Sequence, residues 1–212
     1  VIYIVENNGT YGLTKGQFSA TNDLESKSKY GEDNLFPAID LASMAIQLGA
    51  SFVARSFSVD KDQLVPLLKA AMKNKGFSFL DIISPCVTFN NHGTSTKSYD
   101  HIREHNQSLG RPDFVPLGKE INADYKEGES LEVPLHDGSL ISLEKLPKDF
   151  DPTNKSSSLA RINESEEAGK VLTGLLYIDP KASDLKETLN IIDQPLNQLG
   201  DKELCPGKKE LK

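Results

Sequence analysis

Val1-Ile2-Tyr3-Ile4-Val5-Glu6-Asn7-Asn8-Gly9-Thr10-Tyr11-Gly12-Leu13-Thr14-Lys15-Gly16-Gln17 opens the chain and decides how the rest is read. Its first five residues are apolar, continuous and rich in β-branches, which predicts a strand over 1–6 buried on both faces. That run empties into a long polar loop, 7–35, whose first part carries Gly9, Gly12 and Gly16. Open α/β sheets bind ligands just outside the carboxyl ends of their strands, so this loop is the expected ligand site. Val1 is not a start methionine, and a core strand at the first position reads as a sheet entered part-way through.

Outward from this stretch, 37–49 predicts a helix with apolar Ile39, Leu41, Ala42, Ala45, Ile46 and Leu48 and a glycine stop. Residues 51–55 predict a second buried strand. Leu64, Leu67, Leu68, Ala71 and Met72 keep helical spacing up to Gly76. Pro66 falls inside that helix, so either its hydrogen bonding starts late or its first turn is kinked. Residues 77–83 predict a third strand. Strand, helix, strand, helix, strand implies an α/β fold, a doubly wound and mostly parallel sheet with right-handed crossovers.

Beyond residue 90 the pattern is weaker. A short polar helix is expected over 99–107, with irregular chain over 108–128. Residues 131–135 and 140–143 flank His136-Asp137-Gly138 and predict a β-hairpin, with Pro134 confining its strand to a sheet edge. Residues 147–157 read as a linker, 158–168 as a helix, 171–178 as a strand, and the chain from Asp179 as a polar tail. The division expected is 1–90 and 91–212, the second part an irregular C-terminal extension containing the hairpin.

With 212 residues the chain holds one large domain or two small ones. A net charge of −7 argues against nucleic acid as a partner, because a phosphate-binding footprint is basic. No apolar run approaches the ~18 residues of a membrane span. Two cysteines, Cys86 and Cys205, make no disulfide framework and point to a reduced, cytoplasmic compartment.

The chemistry sits in the opening loop. Mg²⁺ takes oxygen ligands in a tight octahedron at about 2.0–2.1 Å. The Asn8 side chain and a main-chain carbonyl two residues on can supply two of these, and Gly9 and Gly12 let the backbone approach. The bland alternative is an ordinary Asn-Gly turn. Cys86 ends the third strand and, on its own, reads as a packed thiol. His101 and His105 share a helix face without a metal-site framework and read as surface residues, as does His136 in the hairpin turn. Glu164, Glu166 and Glu167, and Glu127 with Glu129, read as solvated faces.

Glu6-Asn7-Asn8-Gly9-Thr10-Tyr11-Gly12-Leu13-Thr14-Lys15-Gly16-Gln17-Phe18-Ser19-Ala20-Thr21 closely resembles the thiamine-diphosphate loop in the β subunit of 2-oxoacid:ferredoxin oxidoreductases, most of all the 2-oxoglutarate type. The resemblance continues through Ser84-Pro85-Cys86-Val87-Thr88-Phe89-Asn90 and returns at Gln194-Pro195-Leu196-Asn197 and Leu204-Cys205-Pro206-Gly207. It implies a thiamine-diphosphate-binding fold, with 1–90 the C-terminal part of the cofactor domain and 91–212 the β-subunit extension. It implies Mg²⁺ held by Asn8, by the Thr10 carbonyl and by an aspartate of a Gly-Asp-Gly expected before Val1. The family often has valine where Thr10 stands, and only the carbonyl is used there. Gly12, Leu13 and Thr14 would line the cofactor pocket.

The resemblance makes Lys15 the partner of the substrate's distal carboxylate; the alternative is a solvated loop lysine. It makes Cys86 one ligand of a [4Fe–4S] cluster, its other three cysteines lying upstream, and leaves Cys205 incidental. The implied reaction is oxidative decarboxylation of 2-oxoglutarate with coenzyme A, giving succinyl-CoA, CO₂ and reduced ferredoxin. An α subunit is the implied partner, and no residue of this chain reads as a general base. Two alternatives stay open: a pyruvate or broad-range 2-oxoacid enzyme, and a non-catalytic fragment acting as an interaction module.

Overall fold

The apolar runs of the first 83 residues pair as three parallel strands. A computed structural model describes residues 1–28, 30–109, 130–134, 140–144 and 150–205, in two separately packed units, 1–182 and 183–212. In the first unit β1 (Ile2–Asn7) is followed by a small ribbon, β2 (Thr10–Tyr11) with β3 (Gln17–Phe18). Then come α1 (Leu41–Gln47), β4 (Phe52–Phe57), α2 (Lys61–Lys73), β5 (Ser78–Ile83), α3 (Tyr99–His105) and β6 (Asn106–Ser108). The hairpin β7 (Ser130–Pro134) and β8 (Leu140–Glu144), α4 (Lys155–Glu167) and β9 (Val171–Ile178) complete it.

The main sheet runs in the order β1-β5-β4-β9-β6. β1, β5 and β4 are parallel, β9 is antiparallel to β4, and β6 is parallel to β9. The sheet is therefore mostly parallel with a reversed side, and residues beyond 90 supply that side. β4 and β5 are buried along their whole length. Val53 and Phe79 face α1 and α4, where Ala42, Ile46 and Ile162 pack. Phe52, Ala54, Leu80 and Ile82 face the opposite way, against Leu67 and Ala71 of α2. This alternation is the period of a strand covered on both faces. Each fully buried side chain such as Phe52 or Leu80 contributes about 1.5–3 kcal/mol.

Of the details that differ from the expectation, three bear on the sheet and its first helices. β1 is a strand, yet Ile2, Tyr3 and Ile4 are exposed, because β1 is the edge of this sheet and pairs with β5 alone among the described residues. α1 begins at Leu41 rather than Pro37, because the Asp40 carboxylate accepts the Ser43 N–H at 2.6 Å and caps the helix there. α2 does not start late: Asp60 caps it, and the Leu64 N–H already reaches the Asp60 carbonyl at 2.9 Å. Pro66 is carried inside the helix.

The hairpin pairs antiparallel, Leu131 opposite Leu143, and Pro134 ends a strand that has one neighbour among the described residues. Its turn, with His136, Asp137 and Gly138, lies outside the described residues, as do 110–129 with Glu127 and Glu129, and 206–212. The second unit carries α5 (Leu185–Thr188), a 3₁₀ turn (Leu196–Gln198) and α6 (Asp201–Leu204). Among the described residues no helix is long and apolar enough to cross a membrane.

Candidate cofactor site

Strand register builds the site. Asn7 of β1 stands opposite Ile83 of β5, so both carboxyl ends finish side by side, and the Ser84 N–H donates to the Asn7 carbonyl at 3.0 Å. The opening loop and Ser84-Pro85-Cys86 therefore leave the same edge of the sheet. An ideal Cβ on Gly12 would lie 3.7 Å from Cys86 Sγ, so the two segments meet across more than seventy residues of sequence.

The base of the loop is tied from several sides. The buried Asn7 donates from Nδ2 to Asp81 Oδ1 at 3.0 Å and accepts the Thr21 hydroxyl at 2.7 Å. Asn8 Oδ1 accepts the Thr10 N–H at 3.0 Å. The Asn8 carbonyl accepts from Asn90 Nδ2 at 2.8 Å, and the Gly9 carbonyl from Asn22 Nδ2 at 2.7 Å. Gly9 has φ +70°, and a Cβ there would stand 2.4 Å from Asn90 Nδ2, so nothing larger than glycine fits.

The ribbon fixes which way Thr10 faces. The Ser19 N–H reaches the Gly9 carbonyl, which makes Thr10 and Phe18 a non-hydrogen-bonded pair. The Thr10 N–H and C=O therefore point away from β3, to the side where the N–H meets Asn8 Oδ1. Asn8 and Thr10 each carry a neutral oxygen, the amide Oδ1 and the backbone carbonyl, and Asn8 Oδ1 meets the Thr10 N–H. By donor type they fit Mg²⁺, which prefers oxygen, with negative charge left for the diphosphate or other carboxylates to bring.

Charge lies beneath the base. Arg55 of β4 donates to Asp81 of β5 at 2.8 Å and also pairs with Asp40, the α1 cap. Burial opposes the guanidinium charge, and the two carboxylates outweigh it and hold the group firmly protonated. Burial would likewise raise the Asp40 carboxyl; the Arg55 charge and the Ser43 N–H win, and it lies below its ordinary 3.8. Asp23 accepts from the Thr96 N–H at 2.9 Å, the Thr96 hydroxyl at 2.6 Å and Lys97 Nζ at 3.0 Å. A cavity of about 230 Å³ opens here, lined by Asn7, Asp23, Arg55, Asp81, Lys97 and His101 among others.

Sequence reasoning passed over Arg55, Asp81, Asp23 and Asn22. The signal was present: Arg55 and Asp81 are lone charges in otherwise uncharged, buried strands, and such charges occur when paired.

The remaining candidates sit on the tip. The Lys15 N–H donates to the Gly12 carbonyl at 3.1 Å, and the Gly16 N–H to the Tyr11 carbonyl at 3.0 Å. Leu13, Thr14 and Lys15 are exposed, Leu13 to 99 %, and Gly12 is half-buried. Lys15 holds the left-handed φ of +76°. Cys86 is a half-buried free thiol and Cys205 an exposed one in the second unit. The His101 and His105 rings stack at 4.1 Å, and burial followed by the His105 charge lowers the His101 pKa. Among the described residues no three His, Cys, Asp or Glu side chains gather as a metal site.

This fold and loop are those of a thiamine-diphosphate-binding domain: residues 1–82 match the family described as "Thiamine pyrophosphate enzyme, C-terminal TPP binding domain". Over 196 residues the chain is 33% identical to the 2-oxoacid:ferredoxin oxidoreductase subunit beta of a Sulfolobus species, covering 85% of this chain and 61% of that one. It is 42% identical over 97 residues to the subunit of the same name from Saccharolobus solfataricus, 45% of this chain and 31% of that one. Against the 2-oxoglutarate synthase subunit KorB of Methanocaldococcus jannaschii it is 38% identical over 86 residues, 39% of this chain and 31% of that one.

The chain is similar, over most of its own length, to the β subunits of 2-oxoacid:ferredoxin oxidoreductases. It spans less than two thirds of the length of these relatives. A solved 2-oxoglutarate:ferredoxin oxidoreductase from Magnetococcus marinus, with 2-oxoglutarate, coenzyme A and succinyl-CoA bound, shares the fold. Its TM-score is 0.65 at 24% identity, over 96% of this chain and 56% of that one.

Proposed function

We propose that this chain carries the diphosphate-anchoring part of a thiamine-diphosphate-dependent 2-oxoglutarate:ferredoxin oxidoreductase, a cytoplasmic heteromer with an α subunit. The reaction is oxidative decarboxylation of 2-oxoglutarate with coenzyme A to succinyl-CoA and CO₂, with electrons passed to ferredoxin. The observation that carries the reading is the turn at the end of β1. There Asn8 Oδ1 accepts the Thr10 N–H, within the segment that matches the thiamine-enzyme family, which supports reading Asn8 and the Thr10 carbonyl as cation ligands. Relatives named for 2-oxoglutarate support the substrate, and others named for 2-oxoacids at large support the broad-range alternative.

Thiamine diphosphate, when bound, supplies the carbon nucleophile and the electron sink that decarboxylation needs. This chain's residues bind and orient. Asn8 and the Thr10 carbonyl would hold Mg²⁺ on the diphosphate, and Gly12, Leu13 and Thr14 would lie along the cofactor. Lys15 would meet the distal carboxylate of the substrate as a point charge. Cys86 would give one thiolate to a [4Fe–4S] cluster. Four are needed and the sequence holds two cysteines, so these residues do not make a cluster by themselves.

The test is dye reduction by the intact heteromer with a viologen acceptor, coenzyme A and either 2-oxoglutarate or pyruvate. We expect a rate dependent on thiamine diphosphate and Mg²⁺ that prefers 2-oxoglutarate. Equal or greater use of pyruvate overturns the substrate assignment, and a rate indifferent to thiamine diphosphate overturns the whole reading. A Lys15→Ala enzyme that keeps the preference removes Lys15 from the substrate site.

A further inference from the structure

Asn90 is 1 % exposed and lies 82 residues from the turn it touches. Its Nδ2 donates to the Asn8 carbonyl and packs directly under Gly9. Its Oδ1 has no hydrogen-bond partner among the described residues. A buried amide oxygen left unpaired costs free energy, so an apolar residue of similar size would serve packing better. What Asn90 alone provides is the N–H that holds the Asn8 carbonyl inward. With that carbonyl held, the Asn8 side chain and the Thr10 carbonyl stay turned to the other side.

Asn22 repeats the arrangement one peptide on, donating to the Gly9 carbonyl with its own Oδ1 unpaired among the described residues. The Lys97 stem closes the inner side, 3.1 Å from the ideal Gly9 Cβ. Asn90 is also the end of the Cys86 turn: the Phe89 and Asn90 N–H groups reach the Cys86 carbonyl at 3.2 and 2.8 Å.

We infer that Asn90, with Asn22, is a positioning residue of the cofactor site, clamping the Asn8 and Gly9 carbonyls so that the turn is set to receive a diphosphate-bound divalent cation. The inference rests on the thiamine-diphosphate reading above. It adds that the shape of the cation turn is imposed from the β5 side of the sheet through Asn90. The side chain touches neither cation nor cofactor; it acts through the Asn8 peptide.

The experiment uses the intact heteromer, stripped with EDTA and titrated with thiamine diphosphate at a series of Mg²⁺ concentrations by calorimetry, alongside thermal melts. Asn90→Leu and the near-isosteric Asn90→Asp lack the N–H. Residues that orient a metal ligand change metal affinity by about 10–100-fold when replaced, and we expect a rise of that size in the Mg²⁺ needed for half-saturation. Excess Mg²⁺ should recover binding, Asn90→Gln should recover it in part, and the melting temperature of Asn90→Leu should change little.

Gln63→Leu, in the buried Ser56–Gln63–Thr173 network away from the turn, should lower the melting temperature and leave the Mg²⁺ requirement alone. Unchanged Mg²⁺ dependence in Asn90→Leu and Asn90→Asp overturns the clamp and leaves the cofactor reading standing. A wild-type enzyme that binds no thiamine diphosphate overturns both. If Asn90→Leu does not fold, Asn90→Asp decides alone.

Discussion

The base and the tip of the opening loop are adjacent in sequence and opposite in construction. From Asn7 to Thr10 every residue is buried or half-buried, and each is fastened to a part of the chain distant in sequence or to the ribbon. From Leu13 to Lys15 the side chains stand in solvent, held by turn hydrogen bonds alone among those described, including Thr14 to Tyr11 and Gln17. A rigid base suits the fixed part of a ligand, such as a diphosphate and its cation, because geometry set in advance costs no ordering on binding. An exposed tip suits contacts completed by something else, whether substrate or partner subunit. On the proposed reading, anchoring would fall to the base and substrate selectivity to the tip.

Mutations should divide along that line. The largest effect is expected beneath the base. Asp81→Ala leaves Arg55 buried with one carboxylate fewer and Asn7 without its acceptor. Breaking a buried pair costs about 3–5 kcal/mol, so urea unfolding should show a loss of that order. Next, Asn8→Ala should weaken Mg²⁺-dependent thiamine-diphosphate binding at least about tenfold with little change in the unfolding midpoint. Retention of wild-type affinity would detach the base from the cation.

The base should also be acid-sensitive. Asp40 has its carboxyl lowered below 3.8 in the fold, so folding favours its charged form. That contribution is complete above the ordinary value and is lost as pH falls through the folded one. Stability measured from about pH 5 down to about pH 2 should fall less steeply in Asp40→Asn than in wild type. An identical slope would mean the Arg55 pair does not set the acid response.

Smaller effects sharpen the contrast. Thr10→Val removes one hydroxyl bond, to the Gln17 carbonyl, and should cost about 1 kcal/mol while leaving Mg²⁺ affinity intact, since the carbonyl remains. At the tip, Lys15→Gly relieves a left-handed φ and should raise stability by up to about 1 kcal/mol. If the intact enzyme prefers 2-oxoglutarate and this variant loses that preference, Lys15 belongs to the substrate site.

Much of this was readable from residues alone. The short, mostly apolar segments of β4 and β5, the i, i+3, i+4 spacing of α2 and the glycine-bearing loop after β1 are local signals, and local sterics and hydrophobic periodicity determine them. The family could be recognised for the same reason, since Tyr11-Gly12-Leu13-Thr14 and its neighbours form one unbroken string.

What the sequence could not decide is everything that depends on register between strands. That β1 is an edge follows from pairing across some seventy-six residues, and that β9 runs antiparallel to β4 from pairing across more than a hundred. The meeting of Gly12 with Cys86, of Arg55 with Asp81 and of Asn90 with the Asn8 carbonyl follows from β1, β5 and β4 ending level. A side chain's type is written in the chain, whereas its partner is chosen by which strand lies beside it. Long-range hydrogen-bond geometry makes that choice only once the sheet is formed.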